Sequence, residues 1–257
     1  MPEPRCLDLF CGAGGAARGL QLAGFHITGV DLKPQPHYAG DEFTLADALE
    51  VSLEGYDCYW ASPPCQGYSI MHNLPWLRGR QYPLLIAATL KRLEATGKPY
   101  ICENVMGARH GAKGLAMRGA GWLCGAMFGL PFYRHRLMAT NVPWLAPGHP
   151  KHRLNLHPRA ERWVYGGTVK GLPDGSAGLD TKPTYNPVNT KWRQYHDGTL
   201  SHYQNGPQAV GVGWLLAAKA MGIDWMNRDE LTQAIPPVYS EYMGRYMMTE
   251  VLRRAEA

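Results

Sequence analysis

The opening of the chain constrains its fold most. Arg5 to Phe10 is a short apolar run of strand type, followed by the glycine turn Gly12 to Gly15 and a helical pattern through about Ala23. A strand that turns through glycines into a helix is the first half of a βαβ unit, and such units build parallel sheets covered on both faces. A second strand runs from Phe25 to Val30 and ends at Asp31. Asp57 to Ala61 and Tyr100 to Cys102 are further strands, with a helix over Tyr82 to Ala95 between them. The alternation predicts an α/β protein whose first 140 residues form a doubly wound, Rossmann-like sheet.

A chain of 257 residues with 45% hydrophobic content can bury one such core and a smaller module beside it. From Asn141 to about Gln208 the periodicity dissolves into Pro, Gly, His, Trp and Tyr. Eight basic residues stand there against four acidic ones, so this segment carries +4 of the chain's net +5. Helical periodicity resumes at Val210 to Met221, and Tyr239 to Ala257 is a closing helix announced by Pro236-Pro237. Three regions follow: a sheet domain over 1–140, a small loop-rich basic lobe over 141–208, and helices over 209–257 that complete the first domain. No apolar run reaches the roughly 18 residues of a membrane span, and no signal peptide opens the chain, so a soluble cytoplasmic protein is expected. Six cysteines without a CxxC pair, and no histidine cluster at zinc spacing, point away from disulfides and from a structural metal.

Two stretches carry chemistry. Asp8-Leu9-Phe10-Cys11-Gly12-Ala13-Gly14-Gly15 lies where a strand gives way to a helix, so backbone without Cβ can come close to a ligand there. Glycine turns of this kind serve many nucleotide cofactors, and Asp31 ends the second strand where a carboxylate can reach ribose hydroxyls or simply cap a turn. Ala61-Ser62-Pro63-Pro64-Cys65-Gln66-Gly67-Tyr68-Ser69 follows the third predicted strand, where an α/β sheet presents its ligand crevice. Two prolines stiffen the approach to a single cysteine. A free thiol with a pKa of about 8.5 is only a few per cent ionised at neutral pH, so a nucleophile in this position needs local help.

DLFCGAGG, SPPCQGYS, Glu103-Asn104-Val105 and Arg134-His135-Arg136 occur in the order found in the C5-cytosine DNA methyltransferases, and the chain resembles that family over its whole length apart from the basic segment. The resemblance implies a methyltransferase sheet with a small target-recognition lobe. The implied donor is S-adenosylmethionine, with S-adenosylhomocysteine as product and no metal. It implies Cys65 as the nucleophile that adds to cytosine C6 and makes C5 reactive. Glu103 is implied to bond N3 and the exocyclic amine, Arg136 to hold the base O2 beside Arg134, and Asn104 to buttress the proline-cysteine loop. Around the donor it implies Phe10, Gly12, Gly14 and Gly15, with Asp31 on the ribose, Asp47 on the adenine amine, and Pro64 and Leu84 closing the pocket.

The chain departs from the family pattern in places. Phe132 stands two residues before the first arginine, where glutamine is usual. Thr232-Gln233-Ala234-Ile235-Pro236-Pro237 resembles a late motif that usually has asparagine at Gln233, a position bordering the donor's amino-acid part. An altered donor is one reading of Gln233.

The implied partner is double-stranded DNA, from which the target cytosine must be extruded. The basic segment supplies phosphate contacts, and Trp163, Tyr165, Tyr185, Trp192, Tyr195 and Tyr203 supply stacking or wedge groups or the lobe's own core. The compact size points to a monomer, and the resemblance implies a bacterial or phage-infected cell, with or without a partner restriction nuclease. Members of the family also act on tRNA, so an RNA cytosine methyltransferase is the nearest rival. A noncatalytic nucleic-acid-binding protein is the rival from another class. A Rossmann oxidoreductase fits neither the glycine spacing nor the cysteine motif.

Overall fold

The computed structural model describes residues 3–69, 79–110, 116–130, 132–150, 169–171, 177–179 and 217–256. In chain order the elements are β1 (Arg5–Leu9), α1 (Gly15–Leu22), β2 (His26–Asp31), β3 (Glu42–Leu45), β4 (Cys58–Ala61), α2 (Ile86–Ala95), β5 (Tyr100–Val105), β6 (Gly121–Leu123), β7 (Arg136–Thr140), β8 (Val169–Gly171), β9 (Ala177–Leu179), α3 (Arg228–Gln233) and α4 (Pro237–Ala255). A 3-10 turn over Met106–Arg109 follows β5. Two compact units emerge: Met1–Leu123 with His135–Pro147 and Ala234–Ala257, and Cys124–Arg134 with Gly148–Gln233. The second holds the β8–β9 hairpin and α3. Among the described residues, no helix is long and apolar enough to cross a membrane.

The first unit is built on a seven-stranded sheet of order β3-β2-β1-β4-β5-β7-β6. Strands β1 to β5 are parallel where they pair, and β7 runs antiparallel between β5 and β6. The predicted α/β doubly wound architecture is the one observed. One face of the sheet buries Leu7, Leu9, Val30, Tyr59, Ala61, Tyr100, Cys102 and Leu137 against Ile86, Leu90 and Leu93 of α2. By strand alternation Cys6, Asp8, Cys58 and Trp60, all fully buried, point to the other face.

Several boundaries differ from the sequence expectation. Strand β5 runs on to Val105, which brings Glu103 and Asn104 inside the sheet. Helix α2 begins at Ile86 rather than Tyr82: Pro83 disfavours helical backbone at the residue before it, and the Ile86 amide donates instead to the Tyr68 hydroxyl at 3.2 Å. Strands β3, β6 and β7 have no counterpart in the sequence expectation: β3 is mostly exposed, β6 is only three residues long, and β7 opens on the charged Arg134-His135-Arg136 stretch. Pro34 and Pro36 keep helix out of the β2–β3 crossover, which is a loop instead. Of the helix expected over Val210 to Met221, residues 217–221 are described and are helical. The expected lobe over 141–208 lies outside the described residues except for 141–150, β8 and β9.

Helices α1 and α4 touch through small residues. A Cβ on Gly15 would come within 2.6 Å of the Ile235 carbonyl oxygen, and one on Gly244 within 2.8 Å of the Ala23 Cβ. A Cβ on Gly19 would overlap both the Pro237 carbonyl oxygen and the Ser240 hydroxyl. The two backbones can approach this closely only because these positions lack side chains. Gly19→Val therefore forces the helices apart and is expected to cost about 3 kcal/mol, near the upper end for overpacking. Urea unfolding measures this; an unchanged midpoint would show that the two helices do not need their close contact.

Candidate active site

Reading along the sheet, the order β3-β2-β1-β4-β5 reverses its chain direction between β1 and β4. An open α/β sheet forms its ligand crevice at such a reversal, outside the carboxyl ends of the strands. The last ladder bond there joins the Ser62 amide to the Leu9 carbonyl at 3.0 Å, after which one chain enters the glycine turn and the other the proline-cysteine loop. Both predicted motifs thus leave the sheet at one point.

On the β1 side, Phe10 adopts a left-handed backbone with φ of 60°, a conformation that a bulky residue holds only under local constraint. The Cys11 amide donates to Val30 at 3.1 Å, and the Gly14 amide closes the turn onto the Cys11 carbonyl at 3.1 Å. Gly12 has φ of +50°, and nothing lies within 4 Å of where its Cβ would be, so its backbone borders open space. Gly14 caps α1 with no side-chain hydrogen bond, and Gly15 is buried against Ile235. The Asp31 carboxylate accepts the Gly12 amide at 3.0 Å and the Lys33 amide at 3.1 Å, tying the turn to the end of β2. Asp47, just past β3, accepts the Leu49 amide at 2.8 Å and so caps the turn that follows it. An open cradle over Gly12, an uncapped helix start and a carboxylate at the end of β2 fit a nucleoside with a polar tail.

On the β4 side, Cys65 begins a single helical turn: its carbonyl accepts the Tyr68 amide at 3.0 Å and the Ser69 amide at 2.9 Å. It is the one of the six cysteines that is not buried. Burial pushes the thiols of Cys11, Cys58, Cys102 and Cys124 upward, Cys124 to about 11. The Asn104 side chain donates to the Pro63 carbonyl at 2.8 Å, while its own oxygen accepts the Val105 amide at 3.0 Å. Leu84, exposed, lies across Gly67, and Pro64 immediately precedes Cys65. On the next strands, Arg136 Nε meets Glu103 Oε1 at 2.8 Å, both side chains almost wholly buried, and Arg136 also donates to the His135 carbonyl at 2.9 Å.

The first unit therefore brings together Asp47, Asp31, the glycine turn, Cys65, Asn104, Glu103 and Arg136 on successive strands of one sheet. Arg134 and Gln233 belong to the second unit. There the buried Arg134 guanidinium donates to the Thr232 carbonyl at 3.1 Å, and the exposed Gln233 amide donates to the Thr232 hydroxyl at 3.2 Å.

Sequence reading assigned no role to Asp8 or Tyr38. Asp8 is fully buried one residue before the last of β1, and neither of its oxygens is hydrogen-bonded among the described residues. Burial first and the Asp31 charge second hold its pKa well above the ordinary carboxylate range. The Tyr38 ring fills the space left by Gly14, Gly29 and Gly40, and its buried hydroxyl is likewise without a hydrogen bond among the described residues. The acid inside an apolar strand was the visible signal for Asp8; nothing in the sequence singled out Tyr38.

Folded Asp8 keeps a proton that the unfolded chain gives up above about pH 4. Stability from this group is thus fully present below that pH and is lost as pH rises toward the raised value. Asp8→Asn removes the titration. Its unfolding midpoint relative to wild type should rise as pH is raised above about 4, measured by urea denaturation at each pH; parallel midpoints would mean that Asp8 does not carry the proton.

No protein-family model matches the chain, and no curated protein matches it either. Solved structures do. A putative DNA modification methyltransferase encoded within an E. coli prophage superposes with a TM-score of 0.57 at 14% identity, covering 97% of this chain and 99% of that one. Entamoeba histolytica methyltransferase EhMeth gives 0.56 at 13% identity, over 98% and 99%. S. pombe Dnmt2 methyltransferase gives 0.54 at 15% identity, over 99% of each chain. With the strand order and the reversal point already described, these likenesses establish that the chain has the fold of these methyltransferases.

Proposed function

We propose that the protein is a DNA cytosine C5-methyltransferase that takes its methyl group from S-adenosylmethionine and leaves S-adenosylhomocysteine. The observation that carries this reading is the placement of Cys65. It is the accessible thiol of the six, on a loop leaving β4 at the sheet's reversal point, tied through Asn104 to the strand that bears Glu103. The similarity of the fold to a prophage-encoded DNA modification methyltransferase supports it.

S-adenosylmethionine, when bound, supplies an electrophilic methyl group. The glycine turn, Asp31 and Asp47 hold it, with Phe10, Pro64 and Leu84 around it; Gln233 stands where the family has asparagine, and the unmodified donor is the one proposed. Cys65 Sγ adds to C6 of a cytosine turned out of the duplex, which makes C5 nucleophilic. Negative charge then gathers at N3, where a protonated Glu103 donates a hydrogen bond. The Arg136 guanidinium 2.8 Å from Glu103 favours the ionised carboxylate. Moving that contact to the base O2 lets Glu103 take up its proton, so base binding and Glu103 protonation are coupled. After methyl transfer, solvent water takes the C5 proton, the freed electron pair re-forms the C5–C6 double bond, and the S–C6 bond breaks to release the Cys65 thiolate.

Duplex DNA carrying 5-fluorocytosine tests this, because fluorine at C5 cannot leave as a proton does. Incubated with S-adenosylmethionine, the wild-type protein should form a denaturation-resistant adduct that Cys65→Ala does not form. An adduct on 5-fluorocytosine RNA but not on DNA would move the substrate to RNA, and none on either would leave a noncatalytic nucleic-acid-binding protein.

A further inference from the structure

We infer that Gly107 and Tyr68 are positioning residues that hold the Cys65 loop at its far end, as Asn104 holds it at its start; the inference rests on the proposed role of Cys65 as nucleophile. The loop from Pro63 to Ser69 is anchored at its start by Asn104, whose side chain donates to the Pro63 carbonyl at 2.8 Å. One such tie fixes a loop at a point and leaves it free to swing about that point. The other end is held at Tyr68. Its ring is buried in the core cluster beneath α2, and its hydroxyl accepts the amide of Ile86, the first residue of that helix, at 3.2 Å. Its amide is bonded to the Cys65 carbonyl at 3.0 Å, so the residue that is anchored also closes the turn carrying the thiol.

Against the Tyr68 carbonyl lies Gly107. A Cβ at Gly107 would overlap that oxygen and would come within 3.7 Å of the Ser69 Cα. Gly107 has no positive φ, so its backbone does not demand glycine. The close approach of the Tyr68 backbone does. The surface it presents is firm: Ala108 is fully buried in the core cluster, and Arg109 of the same 3-10 turn donates to the Ala120 carbonyl at 3.2 Å. A methyl group at 107 therefore has to be accommodated by the cysteine loop, because the 3-10 turn is pinned on both sides. Shifting Tyr68 shifts Cys65 through the hydrogen bond between them.

A displacement of this kind affects the reaction more than the fold, since an attacking atom misplaced by about 1 Å can lose roughly hundredfold in rate. In the full-length protein, Gly107→Ala should lower kcat for methyl transfer to duplex DNA by about tenfold to hundredfold, with KM for S-adenosylmethionine within about twofold. Tyr68→Phe keeps the ring and loses only the bond to Ile86, so its kcat should fall less, by about threefold to tenfold. The readout that a merely structural role would not move is alkylation of Cys65 by iodoacetamide in the protein alone, resolved by mass spectrometry. Gly107→Ala should change that rate by about threefold or more while the five buried cysteines stay unlabelled. Wild-type alkylation and kcat in Gly107→Ala would overturn the inference, and so would labelling of all six cysteines, which reports general loosening. If the wild type formed no adduct with 5-fluorocytosine in DNA or RNA, the methyl-transfer reading would fail, while the alkylation rates would still decide whether Gly107 positions Cys65.

Discussion

The pairing of β1 with β4 at the centre of the sheet is the constraint on which everything else depends. These two strands are far apart in sequence, run parallel, and are connected through β2 and β3 on one side only. The sheet continues from β4 in the opposite direction, so the chain endings of β1 and β4 diverge from a single notch. On the proposed reading, the elements that would hold a donor gather along β1, β2 and β3, and those that would act on an acceptor gather along β4, β5 and β7. The Ser62 to Leu9 hydrogen bond is the last rung before they part. A register slip of one residue there would turn Asp8 into the opposite core and move Cys65 away from the notch.

The buried pair of Glu103 and Arg136 illustrates how far stability and function can diverge. Taking two charges out of water costs several kcal/mol each, and their attraction offsets this only with good geometry. The 2.8 Å contact and the second bond from Arg136 to the His135 carbonyl provide that geometry in the resting protein. A hydrophobic pair of similar volume would hold β5 against β7 about as well. Retaining the ions makes sense when a third group is to be placed between them, and a base bearing both donor and acceptor edges is such a group.

Much of this was legible in the sequence. The strand-turn-helix opening, Asp31 at the end of β2 and the proline-cysteine loop after a core strand all follow from hydrophobic runs punctuated by glycine and proline. Strands without a buried apolar run were not legible: the Glu42–Leu45 strand is mostly exposed, β6 has three residues and β7 opens on a charged stretch, so these are recognisable only by their partners. Glu103 and Asn104 were found through a motif, but their setting inside β5 was not, because Tyr100 to Cys102 exhausts the apolar signal. Gly107 and Tyr38 lay beyond any local pattern. One matters for what its missing side chain lets in, the other for a space that three distant glycines leave open, and neither relation exists until the chain has folded.

The close contact of α1 with α4 also bears on how the protein comes to be folded. The two helices are separated by more than two hundred residues, yet they pack closely at Gly19 and Gly244, and the segment just before α4 lies against Gly15 of the glycine turn. Contacts of such long range are paid for in loop-closure entropy before they return any energy, and they slow folding. The corner around the glycine turn gains this support only when the two distant helices meet, so its completion carries the largest loop-closure cost of the unit. Small molecules that occupy the Gly12 cradle would then act as late-stage folding ligands, raising the population of the completed state without changing how the sheet is nucleated.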